Sequence, residues 1–304
     1  MTLADYVPTF GQDLLHRYGV RVHKVALDTA FTCPNRDGSK GRGGCTFCNN
    51  ASFSPHGRNP VSVAEQIESG RRVVAKRTGA RRLLAYFQAY TNTYADTERL
   101  AALYGAALAE EDVIGLAVGT RPDCVAPATL DLLCSYRDRG YEVWLELGLQ
   151  SAFDGTLERV NRGHGFADYR RTLLAARTRG LKVCTHLIVG LPGETATHAR
   201  QTLKRVLELG VDGLKLHPLH VVKGTVLANE WRRGEYLPLT LPEYVEVAAD
   251  LVQMTPPGVV YHRLTGTAPR GILLAPGWCA EKWRVLNAIT WELHRRAVKP
   301  APRT

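Results

Sequence analysis

Three cysteines stand in the stretch CPNRDGSKGRGGCTFC, at Cys33, Cys45 and Cys48, with eleven and two residues between them. Clustered thiols ligate metals or clusters in a reducing compartment and pair as disulfides in an oxidising one. The chain has seven cysteines in 304 residues, an odd number that argues against a disulfide framework. A structural zinc site takes four protein ligands, so zinc here needs a fourth from distant Cys184, Cys279 or a histidine. Three ligands and an open position suit instead a four-iron four-sulfur (4Fe-4S) cluster with one iron left for a small molecule. The insert between the first two thiols suits an anionic group. Its Gly41, Gly43 and Gly44 permit close backbone approach, and Arg36, Lys40 and Arg42 bring positive charge. On spacing alone both metal readings stay open, and so does a plain turn for the insert. Cys124, Cys134, Cys184 and Cys279 are scattered and read as small buried hydrophobes.

Apolar residues make up 45% of the chain and charged residues 22%, the balance of a folded protein rather than a disordered one. No run approaches the ~20 apolar residues of a membrane span. The N-terminus, MTLADYVPTFGQDLLHRYG, lacks the basic start and apolar stretch of a secretory signal, so a cytoplasmic location is expected. Lys and Arg number 39 against 29 Asp and Glu, a net charge of +10. Six basic side chains fall in RRVVAKRTGARR (71–82) and four more in the tail HRRAVKPAPRT (294–304). A polyanionic partner explains this excess better than a neutral metabolite does, and a solvated helix face is the plainer alternative.

The thiols must be held by something, and the apolar pattern says what. Short β-rich runs at 22–28, 83–89, 113–120, 143–150, 182–190 and 213–219 alternate with helical periods near 62–78, 97–111, 127–139, 166–179 and 195–209. Strand and helix in alternation predict a parallel sheet covered by helices, and right-handed crossovers curl six such units into a full or partial barrel. After residue 220 the pattern loosens to a helix near 241–254, a possible strand at 259–264 and a last helix near 280–294. The expectation is a core over 1–220 and a C-terminal extension over 221–304 packed on it.

Side chains on a strand alternate between two faces. In VWLELGLQ one face is all aliphatic, Val143, Leu145, Leu147 and Leu149, while the other holds Trp144, Glu146, Gly148 and Gln150. The same division puts Lys24 with Asp28, Tyr86 with Gln88 and Tyr90, Cys184 with His186, and Lys215 with His217. Polar faces on so many strands predict a lumen lined for binding. The unusual loops TCPNR, YTNTY, TRPD, QSAFD and GLPGET all follow strands, and in a parallel barrel those loops share the C-terminal rim where chemistry sits.

In this order, CPNRDGSKGRGGCTFC, AYFQAYTNTY, VGTRPDC, WLELGLQSAFDGTLERVNRGHGF, THLIVGLPGET, LKLHPLHVVKGT and YHRLTGTAP resemble the radical S-adenosylmethionine (SAM) enzymes. The resemblance is to a small bacterial branch related to the radical domain of elongator-type tRNA-modifying enzymes, and it covers roughly 14–290. It implies a partial (β/α)6 TIM-type barrel, an α/β fold, with a closing C-terminal extension. It also implies that Cys33, Cys45 and Cys48 hold a 4Fe-4S cluster whose open iron binds SAM, which is cleaved to a 5′-deoxyadenosyl radical. The long first cysteine interval departs from the superfamily's common spacing and agrees with this branch.

Carried over by position, Phe47 resembles the aromatic beside the adenine, and Gln88, Asn92 and Thr93 occupy the place of the motif for the SAM amino group, though the usual glycine-glycine-glutamate is not literally there. Glu146 and Gln150 are placed for the ribose and its surroundings, Arg162 for the SAM carboxylate, and Ile188 and Gly190 for the adenine flank. Tyr90, His186, Lys215 and His217 would line a deeper substrate cup, structural hydrogen bonding being the alternative for each. The resemblance and the charge together imply a tRNA substrate at the wobble uridine, possible remodelling of a carboxymethylaminomethyl side chain toward aminomethyl, and an acidic electron donor such as flavodoxin or ferredoxin. The chain's length leaves no room for the acetyltransferase domain of elongator-type enzymes. A small metabolite or tetrapyrrole substrate, and a non-catalytic cluster or zinc protein that binds nucleic acid, remain as other readings. Oligomeric state is not legible.

Overall fold

A computed structural model describes residues 1–49 and 61–298. The last residues of the basic tail, 299–304, lie outside them. The expected strands appear as β1 (Val22–Leu27), β2 (Arg82–Phe87), β3 (Val113–Thr120), β4 (Glu142–Gln150), β5 (Lys182–Val189) and β6 (Gly213–Pro218), each paired in parallel with the next. A seventh parallel strand, β8 (Val260–Arg263), pairs with β6, so residues beyond 220 extend the sheet itself. The order β1-β2-β3-β4-β5-β6-β8 makes a curled partial barrel of α/β type. Between β6 and β8 a short β7 (Val221–Val222) pairs antiparallel with β9 (Leu273–Ala275), a small sheet the sequence pattern does not announce.

Helices α2 (Val63–Thr78), α3 (Thr97–Leu108), α4 (Pro127–Asp138), α6 (Phe166–Thr178) and α7 (Ala196–Glu208) cover the outside. Helix α2 shows why they start where they do. The Ser62 amide donates to the Glu65 carboxylate at 2.9 Å, the Glu65 amide returns a bond to Ser62 Oγ at 3.2 Å, and Gly79 ends the helix at φ +66°. Helices α9 (Leu241–Met254) and α10 (Lys282–Val298) pack against each other, and α9 also packs on α7. Helices α1 (Phe10–Tyr18), α5 (Asp154–Arg159) and α8 (Val226–Arg232) were not foreseen.

The two faces of each strand separate as alternation requires. Val143, Leu145, Leu147 and Leu149 join the main core under the helices, while Trp144 joins an inner cluster with Phe10, Leu14, Leu84, Tyr86 and Cys184. That inner cluster is a plug. Helix α1 touches both β1 and β8, the two strands at the open ends of the sheet. Its Phe10 stacks on His262 at 3.8 Å between ring centres and meets Trp144 edge-on at 5.2 Å. The N-terminal end of the lumen is thereby filled with aromatic side chains.

Above the plug lies an ionic layer centred on Glu146, which is fully buried. Its carboxylate accepts from Lys24 Nζ at 2.5 Å, His186 Nε2 at 2.9 Å and Lys215 Nζ, with His262 Nδ1 at 3.3 Å. Lys215 Nζ also donates to Tyr86 Oη at 2.8 Å. Burial would raise the Glu146 pKa, but Lys215 and Lys24 outweigh it and hold the carboxyl well below its usual range. Glu146, Cys184 and His186 also offer donor atoms within 4.8 Å of one another. Two lysines already neutralise the carboxylate and burial keeps the Cys184 thiol protonated, so this set suits ion pairing rather than a dication.

Glu142 does similar work lower down. It accepts from Arg17 Nη1 at 2.6 Å, Tyr18 Oη at 2.9 Å and Trp144 Nε1 at 2.6 Å, tying α1 to β4. Burial raises its pKa, and the Arg17 hydrogen bond, Lys182 and Trp144 reverse that and bring it to about 2.

Two predictions follow from these carboxylates. Glu146→Gln leaves Lys215 and Lys24 buried without their counter-charge, and urea unfolding should show a loss of about 3–5 kcal/mol; an unchanged midpoint and slope contradicts the ionic layer as drawn. Glu142 has its folded pKa below the ordinary value of 4.5, so its contribution is complete above that pH and is lost as pH falls from 4.5 toward 2. Thermal melts should therefore lose stability across that window, and Glu142→Gln should flatten this part of the profile.

Candidate functional site

Above the ionic layer the barrel opens into a cavity of about 220 Å³. Cys33, Cys45 and Cys48 all line it, brought there by the loop that follows β1. That loop is anchored on three sides and is more than a plain turn. The Asn35 side-chain amide donates to the Asn161 carbonyl at 2.5 Å, and the Asn161 amide returns a bond to the Gly44 carbonyl at 2.8 Å. Lys40 pairs with Asp123 at 2.7 Å, and Tyr94 Oη donates to Ser39 Oγ at 2.8 Å. The loops after β2, β3 and β4 thus fix the cysteine loop from outside. Gly43 and Gly44 both adopt φ +79°, a left-handed backbone that a side chain would strain.

Around the thiols the field is positive. Arg162 Nη1 lies 3.4 Å from Cys45 Sγ, and its Nη2 donates to the Gly148 carbonyl at 2.6 Å. A Cβ on Gly148 would fall 2.8 Å from that nitrogen, so the glycine makes the approach possible. Arg36 Nη2 donates to the Cys48 carbonyl at 2.5 Å. Burial, and then charge on Cys45, push the Cys48 thiol up to about 11. Arg162 Nε and Asn35 Oδ1 are buried without partners among the described residues. These observations fit a cluster held by three sulfurs. The lining contains no fourth cysteine, and Cys124, Cys184 and Cys279 lie outside it.

The other residues singled out in the sequence divide into two groups. Phe47, Gln88, Tyr90, Gln150, Arg162, His186, Ile188 and His217 line the cavity. Asn92, Thr93, Glu146, Gly190 and Lys215 do not. Asn92 Nδ2 donates to the Gly119 carbonyl at 2.7 Å and Thr93 Oγ1 donates to the Cys124 carbonyl at 2.5 Å, so both side chains pin the loop after β2 onto β3. Glu146 and Lys215 face the lumen, as alternation requires, but one layer deeper. The Gly190 carbonyl accepts from Tyr236 Oη at 2.9 Å, and the residue faces a separate depression with Glu194 and Glu235. Glu146 also orients His186: a carboxylate can only accept, so the imidazole carries its proton on Nε2 and presents Nδ1 as an acceptor.

Sequence reasoning missed Arg121, His220 and Arg263 as lining residues. Arg121 stood in view after β3 but had no assigned role; it pairs with Asp123 at 2.9 Å and donates to the Arg162 carbonyl at 2.8 Å. Arg263 ends a four-residue strand, too short for its faces to be phased from sequence. The basic run 71–82 is also not at this rim. It spans the C-terminal half of α2 and the entry to β2, which a parallel barrel places at the opposite end from its C-terminal loops. Arg71 is spent there on Glu110 at 2.9 Å and Asp112 at 2.8 Å. Besides Arg36 and Lys40, which are engaged by the Cys48 carbonyl and Asp123, the exposed cations near the cysteine loop include Arg42 and Lys223, the latter held through its carbonyl by Asn49 Nδ2 at 2.7 Å.

Comparison with known proteins agrees with this geometry. Residues 35–206 match the family model described as the radical SAM superfamily, and residues 211–295 match the radical SAM C-terminal domain. The chain is 54% identical to protein YhcC of Escherichia coli strain K12, over 98% of this chain and 96% of that one. It is 32% identical to a tRNA uridine(34) acetyltransferase of Dehalococcoides mccartyi, over 53% of this chain but 35% of that one. Among solved structures, the archaeal Elp3 of Methanocaldococcus infernus superposes with a TM-score of 0.69 at 19% identity, covering 91% of this chain and 64% of that chain, a likeness of fold. No described helix is long and apolar enough to cross a membrane. The chain belongs to the radical SAM superfamily and is a radical SAM enzyme, whose cofactors are a 4Fe-4S cluster and S-adenosylmethionine.

Proposed function

We propose that this enzyme modifies tRNA at the wobble uridine, in its finest form converting a carboxymethylaminomethyl side chain toward aminomethyl. The observation that carries the reading is kinship, over about half of this chain, with a protein named for acting on tRNA uridine(34). A rim that offers Arg42 and Lys223 to a phosphate backbone is consistent with it.

Cys33, Cys45 and Cys48 would hold the cluster, leaving one iron to bind SAM. When bound, the reduced cluster and SAM supply a 5′-deoxyadenosyl radical able to take hydrogen from an unactivated carbon. The chain's own residues position and shield. Phe47 and Ile188 pack on the apolar group of Leu219, Leu191 and Val160, a wall suited to an adenine face. Arg162, with its Nε unpartnered, is placed to meet the SAM carboxylate beside Cys45. Gln88 and Gln150 offer amide groups to the amino group and ribose. Glu146 acts as a positioning residue through His186 and takes no direct cofactor contact. Tyr90, at 39% exposure on the mouth, offers an aromatic face for an extruded base to stack on. An acidic electron donor of flavodoxin or ferredoxin type would meet the same positive rim.

Three measurements bear on this. Mass spectrometry of tRNA nucleosides from cells lacking the gene should show one modified wobble uridine changed and restored on complementation; an unchanged profile turns the reading toward a small-metabolite substrate. Cys45→Ala should abolish formation of 5′-deoxyadenosine while far-UV circular dichroism stays that of the folded barrel, and normal turnover in that variant contradicts the ligand assignment. Replacing Arg42 and Lys223 together by Glu should weaken tRNA binding and lower the slope of log affinity against log salt by about 2. An unchanged slope removes these residues from the RNA interface.

A further inference from the structure

The cavity wall contains arginines at 36, 121, 162 and 263, and no aspartate or glutamate. Three of the four are engaged: Arg36 by the Cys48 carbonyl, Arg121 by Asp123, and Arg162 by the Gly148 carbonyl. Arg263 has neither a hydrogen bond nor a carboxylate partner among the described residues. It stands on β8, beside Lys215 in the strand register. Its charge is felt by His186, His217, Lys215, Lys282 and the Tyr86 hydroxyl, none of them a carboxylate.

Two further features belong to the same wall. His220 lines the cavity, and its Nδ1 is buried without a partner. Gly266 lets the chain after Arg263 press against His217, where a Cβ would fall 2.4 Å from Nδ1. The guanidinium, an unpartnered imidazole nitrogen and a fixed second imidazole thus share the cavity wall, and His217 feels the charge of both others. A guanidinium that faces a cavity and has no acceptor of its own is free to take an anionic ligand.

We propose that Arg263 is the substrate-anchoring residue of this site and that the group it takes is a carboxylate. The planar guanidinium matches the two oxygens of a carboxylate in a bidentate pair, and His220 Nδ1 is available to one of them. The SAM carboxylate is assigned to Arg162 beside Cys45, so a further cation in the lining without a partner leaves room for a second anion. The inference rests on the reading of a modified uridine and deepens it: the carboxymethyl end of the side chain would point to β8, which places the adjoining carbons inside the cavity.

The test uses anaerobic, cluster-loaded, SAM-saturated enzyme, so that the SAM carboxylate site is already filled. Ligand-observed NMR titration with acetate, acetamide and methyl phosphate reads the anion site without any RNA. Acetate should bind saturably and acetamide should not. Arg263→Gln should weaken acetate by about tenfold or more, and Arg263→Lys, which keeps charge without the fork, by less. Thermal melts of both variants confirm that they fold. Equal acetate affinity in the wild type and Arg263→Gln overturns the proposal, as does tighter binding of methyl phosphate than of acetate. An Arg263→Gln variant that loses SAM affinity and keeps its acetate affinity overturns it too. In parallel, an anticodon stem-loop carrying carboxymethylaminomethyluridine is compared with the unmodified stem-loop. If acetate depends on Arg263 while the modified stem-loop is neither preferred nor consumed, the carboxylate site stands and the tRNA reading alone falls.

Discussion

One buried carboxylate sets the geometry of this protein. A seven-strand sheet that curls without closing has two open edges, here β1 and β8, and no backbone ladder joins them. Glu146, on the central strand, reaches Lys24 on β1 and His262 on β8, and Lys24 Nζ lies 2.9 Å from His262 Nδ1. Side chains therefore close across the lumen what hydrogen-bonded strands leave open, while α1 fills the gap beneath. A lone carboxylate at that depth would be prohibitively costly; with Lys24, Lys215, His186 and His262 around it, it becomes the pin that fixes five strands at one level. The level matters because it is the floor of the cavity. Everything above it is available to cofactors and substrate, and everything below is aromatic packing.

That layering explains which parts of the site could be read from the sequence. Period-two alternation assigns a side chain to a face, and it put Glu146, His186, Lys215 and His217 on the lumen side, where they are. Alternation does not say how far along the lumen a residue sits. Glu146 and Lys215 were therefore expected beside the cofactor and substrate, yet both lie in the floor, engaged by each other and by Lys24, His186, His262 and Tyr86. Asn92 and Thr93 have polar side chains at a rim loop, but buried carbonyls of β3 and its loop claim them first. The strands and covering helices were legible because their apolar runs are long. The β7–β9 pair and α8 were not, since two- and three-residue strands and a seven-residue helix leave no periodicity to detect. Arg263 escaped for the same reason. The basic run at 71–82 was legible as charge but not as location, because only the direction of α2 shows which end of the barrel it occupies.

The cysteine loop shows how the same chain supplies both rigidity and an open coordination site. Asn35, Lys40 and Ser39 bind it to three neighbouring loops, so the three sulfurs are presented from a fixed frame rather than from a mobile insert. Arg162 ties that frame to the ionic floor, since it contacts both Cys45 and the strand that carries Glu146. The cavity is lined by four arginines and lacks a carboxylate of its own. Such a chamber favours anionic occupants, and Arg162 and Arg263 both belong to its wall.

The account stands on three protein sulfurs leaving one iron of the cluster free for SAM. The most direct measurement is electron–nuclear double resonance on the reduced, anaerobic enzyme given SAM labelled with nitrogen-15 at its amino group and oxygen-17 at its carboxylate. Couplings to both labels at the cluster are predicted, together with a change in the electron paramagnetic resonance signal on adding SAM. A spectrum that shows no coupling to either label, with a protein nitrogen or fourth sulfur bound in their place, contradicts it.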